Sequence, residues 1–365
     1  MIRVLHIFHN MGNGGTEHFV MDNYRRIDKS KVQFDFLTSV EEEGFFDKEI
    51  IELGGRIIHA YPFRKNPIKN YFSIAQIVKE NQYSIVHRHT GSAFGYFDLR
   101  AARHGGASHL ILHAHNTQAE KALLHKLSKL LFRTDCVRLA CSEEAGRFLF
   151  GKKAVFSIIK NGIDCDKFAF SSSERLTLRE EWNIGEKLVV GHIGRFEQQK
   201  NHRKLLEIFA AMHNQKPDSM LFCVGAGTML STSKQYAQEL GIDQNVIFAG
   251  NRDDVDKIIN VFDVFCFPSN YEGFGITLLE AQANGLRCYA SKDVISDVAN
   301  LSGNVSFIPL YSSSKYWADQ ILASSVERDL NAADAVRKAG YDISETALVL
   351  QNIYLSLSDQ QEKGI

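Results

Sequence analysis

The sequence predicts an α/β protein built of two Rossmann-like domains, each a doubly wound parallel sheet. Three observations carry that prediction: a length of 365 residues, a repeated alternation of β-branched or aromatic runs with amphipathic stretches, and a break in that rhythm near mid-chain. At roughly 100–200 residues per domain, the length suits two. Hydrophobic residues make up 44% and charged residues 23%, with only five prolines, which leaves no Pro-rich linker or disordered tail.

In the first half, strands are expected over 3–8, 33–38, 56–60, 84–87, 110–113, 137–140 and 155–159, with amphipathic segments such as 46–53 and 71–81 between them. Helices between short apolar strands supply the crossovers that parallel pairing requires. The stretch 160–187 interrupts the pattern with Asn161-Gly162, three serines from Ser171 to Ser173 and a charged run, and is the expected interdomain connection. A second series of strands follows over 188–193, 220–224, 246–249, 264–267 and 287–290. From Lys315 the chain reads as helical, and Ala347, Leu348, Leu350, Ile353, Tyr354 and Leu357 form an apolar stripe that must pack somewhere. The expected organisation is a first Rossmann-like domain over 1–165, a linker over 166–187, a second Rossmann-like domain over 188–340, and a terminal helix over 341–365 that crosses back to the first domain. Two such sheets facing a central cleft would bind ligands through the βα loops at their C-terminal edges.

The six cysteines (Cys136, Cys141, Cys165, Cys223, Cys266 and Cys288) are scattered, mostly in apolar runs, without C-x-x-C pairs or zinc-like histidine spacing. They read as small buried hydrophobes in a reducing, cytoplasmic compartment. The N-terminal run MIRVLHIFHNMG is broken by His6 and His9, which suits a first strand and not a signal peptide. No stretch reaches the ~18 apolar residues of a membrane span. No nucleic-acid partner is expected. The net charge of −1 hides an asymmetry, with 23 Lys and Arg against 17 Asp and Glu over 1–165, and 19 against 26 over 166–365.

Four motifs carry chemistry. In Phe265–Gly285, FCFPSNYEGFGITLLEAQANG, a buried strand ends at Pro268, a polar loop carries Glu272, and a Gly273-Phe274-Gly275 turn opens a helix through Ile276 with Glu280 on it. The glycines admit a ligand to the backbone, and the free amides of a first helical turn form an anion site fit for a diphosphate. Carboxylates suit sugar and ribose hydroxyls, because each accepts two hydrogen bonds from a vicinal diol. The second motif, Gly194-Arg195-Phe-Glu-Gln-Gln-Lys200-Asn201-His202, places two cations after a strand, where they can stabilise the charge that develops on a departing phosphate. The third, Asn10-Met-Gly12-Asn-Gly14-Gly15-Thr16-Glu17, is a glycine-rich loop into a helix without dinucleotide-fingerprint spacing. The fourth is His113-Ala-His115-Asn116 at a strand end.

The pattern E-x7-E, filled by Glu272 and Glu280 after Pro268-Ser269, resembles the signature of glycosyltransferase family 4, retaining enzymes of GT-B fold. The segment from Gly194 to Lys200 resembles that family's G-R-x4-K run. Cys141-Ser142-Glu143, Asn161-Gly162-Ile163-Asp164 with Phe168, Val224-Gly225-Ala226-Gly227, and the loop of Gly250, Asn251 and Arg252 follow in family order, though Ala226 replaces the usual acid. The resemblance spans nearly the whole chain and is nearest to capsular and exopolysaccharide transferases. It implies transfer of a hexose-type unit from a UDP-sugar to a glycan or lipid-linked acceptor with retention. Glu272 would hold donor hydroxyls, Glu280 the ribose, Arg195 and Lys200 the diphosphate, Gly14 and Gly15 the phosphate-facing loop, and His115 a hydroxyl of the reacting sugar. Gly225, Asn251 and Arg252 would lie beside the base, and Gly273, Phe274, Gly275 and Ile276 at the donor. Removing either cation is expected to leave stability nearly unchanged.

No metal or other cofactor is expected, since neither D-x-D string, Asp164-Cys165-Asp166 or Asp254-Val255-Asp256, follows an expected strand as a metal site would require. A non-hydrolysing sugar-nucleotide epimerase of the same fold and a non-catalytic nucleotide-sugar-binding protein stay open as alternatives. Finally, 121–133 (KALLHKLSKLLFR) reads as a basic amphipathic helix, and 61–72 mixes Arg64, Lys65 and Lys69 with Phe63, Tyr71 and Phe72. Both patches predict docking on an anionic membrane, on the inner face of the plasma membrane, against the simpler expectation that the leucines pack on their own sheet.

Overall fold

The computed structural model describes residues 1–116, 122–272, 275–292, 294 and 299–362. It divides into two compact units, Met1–Gly162 with Ile343–Ile365, and Ile163–Asp342.

The first unit is a seven-stranded parallel sheet of β1 (Ile2–Ile7), β2 (Val32–Thr38), β3 (Ile57–His59), β4 (Ile85–Thr90), β5 (His109–Ala114), β6 (Val137–Ala140) and β7 (Ser157–Ile158), in the order β3-β2-β1-β4-β5-β6-β7. The chain starts at β1, runs outward to β3, and restarts on the other side of β1 with β4. The loops after β1 and β4 therefore diverge at a topological switch point, the usual ligand crevice of such sheets. The second unit repeats the plan with β8 (Leu188–Ile193), β9 (Ser219–Val224), β10 (Val246–Phe248), β11 (Val264–Phe267), β12 (Arg287–Ser291) and β13 (Val305–Ile308), ordered β10-β9-β8-β11-β12-β13. Its switch point lies between β8 and β11.

Hydrophobic clusters cover both faces of each sheet, which is why the strands read as apolar runs with little alternation. The last helix, Ile343–Glu362, joins the first unit: Leu350, Tyr354 and Leu357 pack in the cluster that holds Val4, Phe34 and Phe36. The Gln351 side chain also accepts the Asp28 amide at 2.8 Å. The helix Pro67–Glu80 starts four residues before the expected one, because Asn66 caps it and Pro67 fits its first turn.

Three expectations are corrected. The segment 166–187 is not an open linker. It holds most of the helix Cys165–Phe168 and all of Ser172–Glu181, and Arg175 and Arg179 of the latter bind Asp263 at 2.5 and 3.3 Å, which fixes it within the second unit. Strand β4 continues past His87 through Arg88, His89 and Thr90, because the hydrogen-bonded ladder with β5 persists there despite the polar residues. Strand β13 was not expected; Val305 and Ile308 face the core while Ser306 and Phe307 between them are half-buried.

Candidate active site

In the second unit, three βα loops are knitted together at the switch point. Gly194, after β8, donates its amide to the Val224 carbonyl at 2.9 Å. Gly225 has φ +137°, and a Cβ there would sit 2.2 Å from the Gly194 carbonyl oxygen, so this crossing admits only glycine. The Phe196 amide donates to Ala226 O and the Met229 amide to Phe196 O, both at 2.9 Å, while Glu197 accepts the Thr228 amide and hydroxyl at 3.1 and 3.0 Å. The loop after β11 closes the set: the Asn270 amide donates to Gln199 O at 2.8 Å and its side chain to Gln198 O at 2.6 Å.

This scaffold brings Lys200 and Glu272 together, 72 residues apart in sequence, with Nζ 2.6 Å from Oε1. Their side chains are only 14% and 6% exposed, and the ammonium also lies 4.5 Å from the centre of the Phe267 ring. In a site this dry the pair attracts strongly, but each charge depends on the other to offset its lost hydration. Arg195, one turn of loop earlier, is exposed. Gly275 adopts the left-handed conformation at φ +81° and caps the helix Ile276–Ala283 without any side-chain cap. Half-buried Glu280 lies on that helix. After β10, Asn251 is exposed, and Arg252 makes a bidentate pair with Asp254 at 2.8 and 2.7 Å. Gly273 and Phe274 lie outside the described residues.

Both D-x-D strings are occupied by structural work. Asp164 caps a helix through the Lys167 amide, Asp166 binds Arg337, Asp254 binds Arg252 and Asp256 binds Lys167.

In the first unit, Gly14 is the N-cap of the helix Gly15–Arg26, again without a side-chain cap, and an added Cβ on Gly15 would meet nothing within 4 Å. His115 follows β5, its amide bonded to Thr90 O at 3.1 Å and its Nε2 lying 3.0 Å from His89 Nδ1. Burial pushes its pKa down to about 3, so the ring is neutral at physiological pH. His113 is fully buried, and neither ring nitrogen has a hydrogen-bond partner among the described residues. Among the described residues, the groups that could hold a metal are the triads His6, His87 and His89, and His89, His113 and His115, whose nitrogens lie within 4.8 Å of one another.

Sequence reasoning overlooked Asn270, Glu197, Thr228 and this histidine array. The array did leave a signal: His87-Arg-His89 and His113-Ala-His115 repeat one two-residue spacing on adjacent strands, which puts all four rings on one face.

The two parallel sheets and their loops define a GT-B fold. Among solved structures, Anabaena Alr3699/HepE in complex with UDP and glucose matches with a TM-score of 0.76 at 19% identity, covering 98% of this chain and 100% of that one. WaaG, a glycosyltransferase involved in lipopolysaccharide biosynthesis, matches with a TM-score of 0.71 at 16% identity, covering 96% and 99%. The family description Glycosyl transferases group 1 fits residues 174–303, and Glycosyltransferase Family 4 fits residues 13–167. The sequence is 32% identical to EpsF of Bacillus subtilis (strain 168), a protein named as a glycosyltransferase, over 96% of each chain. It is 29% identical to the Escherichia coli UDP-Gal:alpha-D-GlcNAc-diphosphoundecaprenol alpha-1,3-galactosyltransferase, over 65% of this chain and 63% of that protein. The chain belongs to glycosyltransferase family 4, and it is an enzyme of the hexosyltransferase type.

Proposed function

We propose that the enzyme moves a hexosyl or N-acetylhexosaminyl unit from a UDP-sugar to a glycan or lipid-linked acceptor in surface polysaccharide synthesis, with retention and without a metal. The observation that carries this is the buried Lys200–Glu272 pair at the switch point of the second unit, beside the uncapped helix Ile276–Ala283. Lys200 and Arg195 bind the diphosphate and offset the charge gained by the leaving UDP, the work a metal does elsewhere. The amides of Gly275 and Ile276 add donors to the same phosphates. Glu272 holds sugar hydroxyls, Glu280 the ribose diol, and Gly225, Asn251 and Arg252 border the base. On the first unit, the Gly14–Gly15 loop and neutral His115 serve the sugar and acceptor side. The acceptor hydroxyl attacks on the face the UDP leaves, and the departing phosphate oxygen takes its proton. The likeness to EpsF and to a transferase acting on a diphosphoundecaprenol acceptor supports the substrate class.

The same reading places the protein at the inner face of the plasma membrane. No helix of the described residues is long and apolar enough to cross a membrane. The helix Ala122–Leu131 nevertheless leaves Leu123, Leu124, Leu127, Leu130 and Leu131 exposed, so its stripe does not pack on its own sheet. Ile68 and Phe72 are exposed on the helix Pro67–Glu80 of the same unit. Lys126, Lys129 and Arg133 accompany the leucines, a composition that suits an anionic lipid surface.

A panel of nucleotide sugars with lipid-diphosphate and glycan acceptors tests the reading, following UDP release and the anomeric configuration of the product. Acceptor-dependent UDP release that persists in excess EDTA is expected. Epimerised donor without transfer, or activity abolished by EDTA and restored by Mg²⁺ or Mn²⁺, would overturn it.

A further inference from the structure

Five histidines share one face of the first unit's sheet: His6 on β1, His87 and His89 on β4, His113 on β5, and His115 just beyond its end. Register pairs His6 with His87 and His89 with His113. His89 therefore lies two residues beyond the ring opposite His6, and His115 two beyond the ring opposite His89. The result is a diagonal that climbs across three strands to the C-terminal edge. Along it, His6 Nδ1 lies 3.0 Å from His89 Nε2, and His89 Nδ1 lies 3.0 Å from His115 Nε2. His6 and His89 are buried, and the ring centroids lie 5.3 Å apart with planes 14° from parallel for His6 and His89, and 5.2 Å apart with planes tilted by 35° for His89 and His115.

The proton count along this diagonal has only two solutions. Each N–H···N bond needs one proton, and each neutral imidazole carries one. If His6 is protonated on Nδ1, it donates to His89 Nε2. His89 must then carry its proton on Nδ1 and donate to His115 Nε2, which leaves His115 with Nδ1–H. If His6 is protonated on Nε2, every proton shifts to Nε2 and His115 presents a bare Nδ1. Any mixture sets two lone pairs or two protons against each other inside a dry core, where an unmade bond costs most. Burial drives the pKa of His6 and of His115 down to about 3 and that of His89 well below its ordinary value, which keeps each ring to one proton.

We propose that His6 and His89 are positioning residues that couple the tautomer of His115 to that of His6 through this all-or-none chain, so that His115 Nδ1 donates to or accepts from a sugar hydroxyl according to which nitrogen of His6 carries its proton. The proposal rests on the reading that His115 meets the donor sugar. His6 makes no hydrogen bond to His115 itself, so its influence on turnover passes through His89. A wrong tautomer can cost a reaction orders of magnitude while the fold survives, as the aspartate-to-asparagine change in a serine protease triad illustrates.

Two measurements on the full chain test the proposal. In ¹⁵N-histidine-labelled enzyme, with rings assigned by single substitutions, the nitrogen shifts of His6, His89 and His115 should report one shared tautomer; mixed tautomers overturn the chain. In kinetics, His6→Phe fills the space without a nitrogen and should lower kcat about tenfold or more, with donor KM within about twofold. His6→Asn, whose amide can donate or accept where Nδ1 stood, should restore most of the rate. If His6→Phe does not fold, His89→Phe against His89→Gln poses the same contrast one link later. Wild-type kcat in a folded His6→Phe, alongside an impaired His115→Ala, sinks the proposal. Wild-type turnover in His115→Ala overturns the donor-site role instead, and the shared tautomer still decides the chain. Stoichiometric zinc or another transition metal bound to the purified enzyme would also overturn it, because a metal would replace the protons that the chain requires.

Discussion

Lys200 and Arg195 carry the same charge in the same loop, yet they stand in different environments, and this separates what each substitution does. Removing either should lower turnover about a hundredfold, the ~3 kcal/mol typical of losing one preorganised transition-state donor. Their stabilities should diverge. Arg195 is exposed, so Arg195→Ala should leave folding stability unchanged within about 0.5 kcal/mol. Lys200→Ala strands a carboxylate that is 6% exposed and should cost roughly 3–5 kcal/mol. The double variant Lys200→Ala/Glu272→Gln should recover part of that stability and none of the activity. Paired melting curves and kcat values check this; equal stability losses in the two alanine variants would show that Lys200 and Glu272 are not a coupled pair in solution. The motif spacing gave both residues their chemistry, but not their difference. The expectation that either could go without loss of stability took no account of the buried partner that another βα loop brings to Lys200.

At the scale of elements, the helix Ala122–Leu131 and the loop crossing at Gly225 make opposite demands on substitution. Leu123 is 72% and Leu130 79% exposed, so replacing both with glutamine should leave the melting temperature unchanged while weakening binding to vesicles. Binding of the parent chain should rise with anionic lipid content and fall with salt, at about 1 kcal/mol for each basic residue near the surface. Cosedimentation with vesicles of graded composition at two ionic strengths measures it, and insensitivity to both variables refutes the docking surface. Gly225→Ala forces a left-handed φ and a Cβ into the Gly194 carbonyl. It should cost at least roughly 1–3 kcal/mol and weaken donor binding in calorimetry, since the loop bearing Lys200 is displaced. The amphipathic pattern of this leucine helix was readable in the chain. Whether its stripe faced a sheet or solvent was not, because periodicity gives a face without naming what covers it.

For the molecule as a whole, buried histidines set the acid limit of stability. Burial lowers His6 and His115 to about 3, His192 to about 4 and His202 to about 2, with His87, His89 and His113 well below the ordinary value. Near pH 7 and above, these groups are neutral in both states and stability does not change with their titration. As pH falls below about 6.5, the unfolded chain takes up protons that the folded chain refuses, and each group removes up to ~1.4 kcal/mol per pH unit. The thermal midpoint should therefore drop steeply between pH 6.5 and 5. A flat profile across that interval, in scanning calorimetry, would mean that the array is not buried neutral.

The sequence by itself determined the class: alternating apolar strands and amphipathic helices required two doubly wound sheets, and E-x7-E with G-R-x4-K identified the family, because those residues lie close together in the chain. It also placed Gly225, Gly275 and Arg195 in particular βα loops and Glu280 on the helix that follows one of them. Tertiary structure alone decided that Lys200 meets Glu272, that Asn270 ties the loops after β8 and β11 together, and that 166–187 folds into the second unit. It alone aligned His6, His89 and His115 into one line of rings. Those contacts join residues 26 to 88 positions apart across strands or loops, and they follow from strand register and sheet order, which no local pattern specifies.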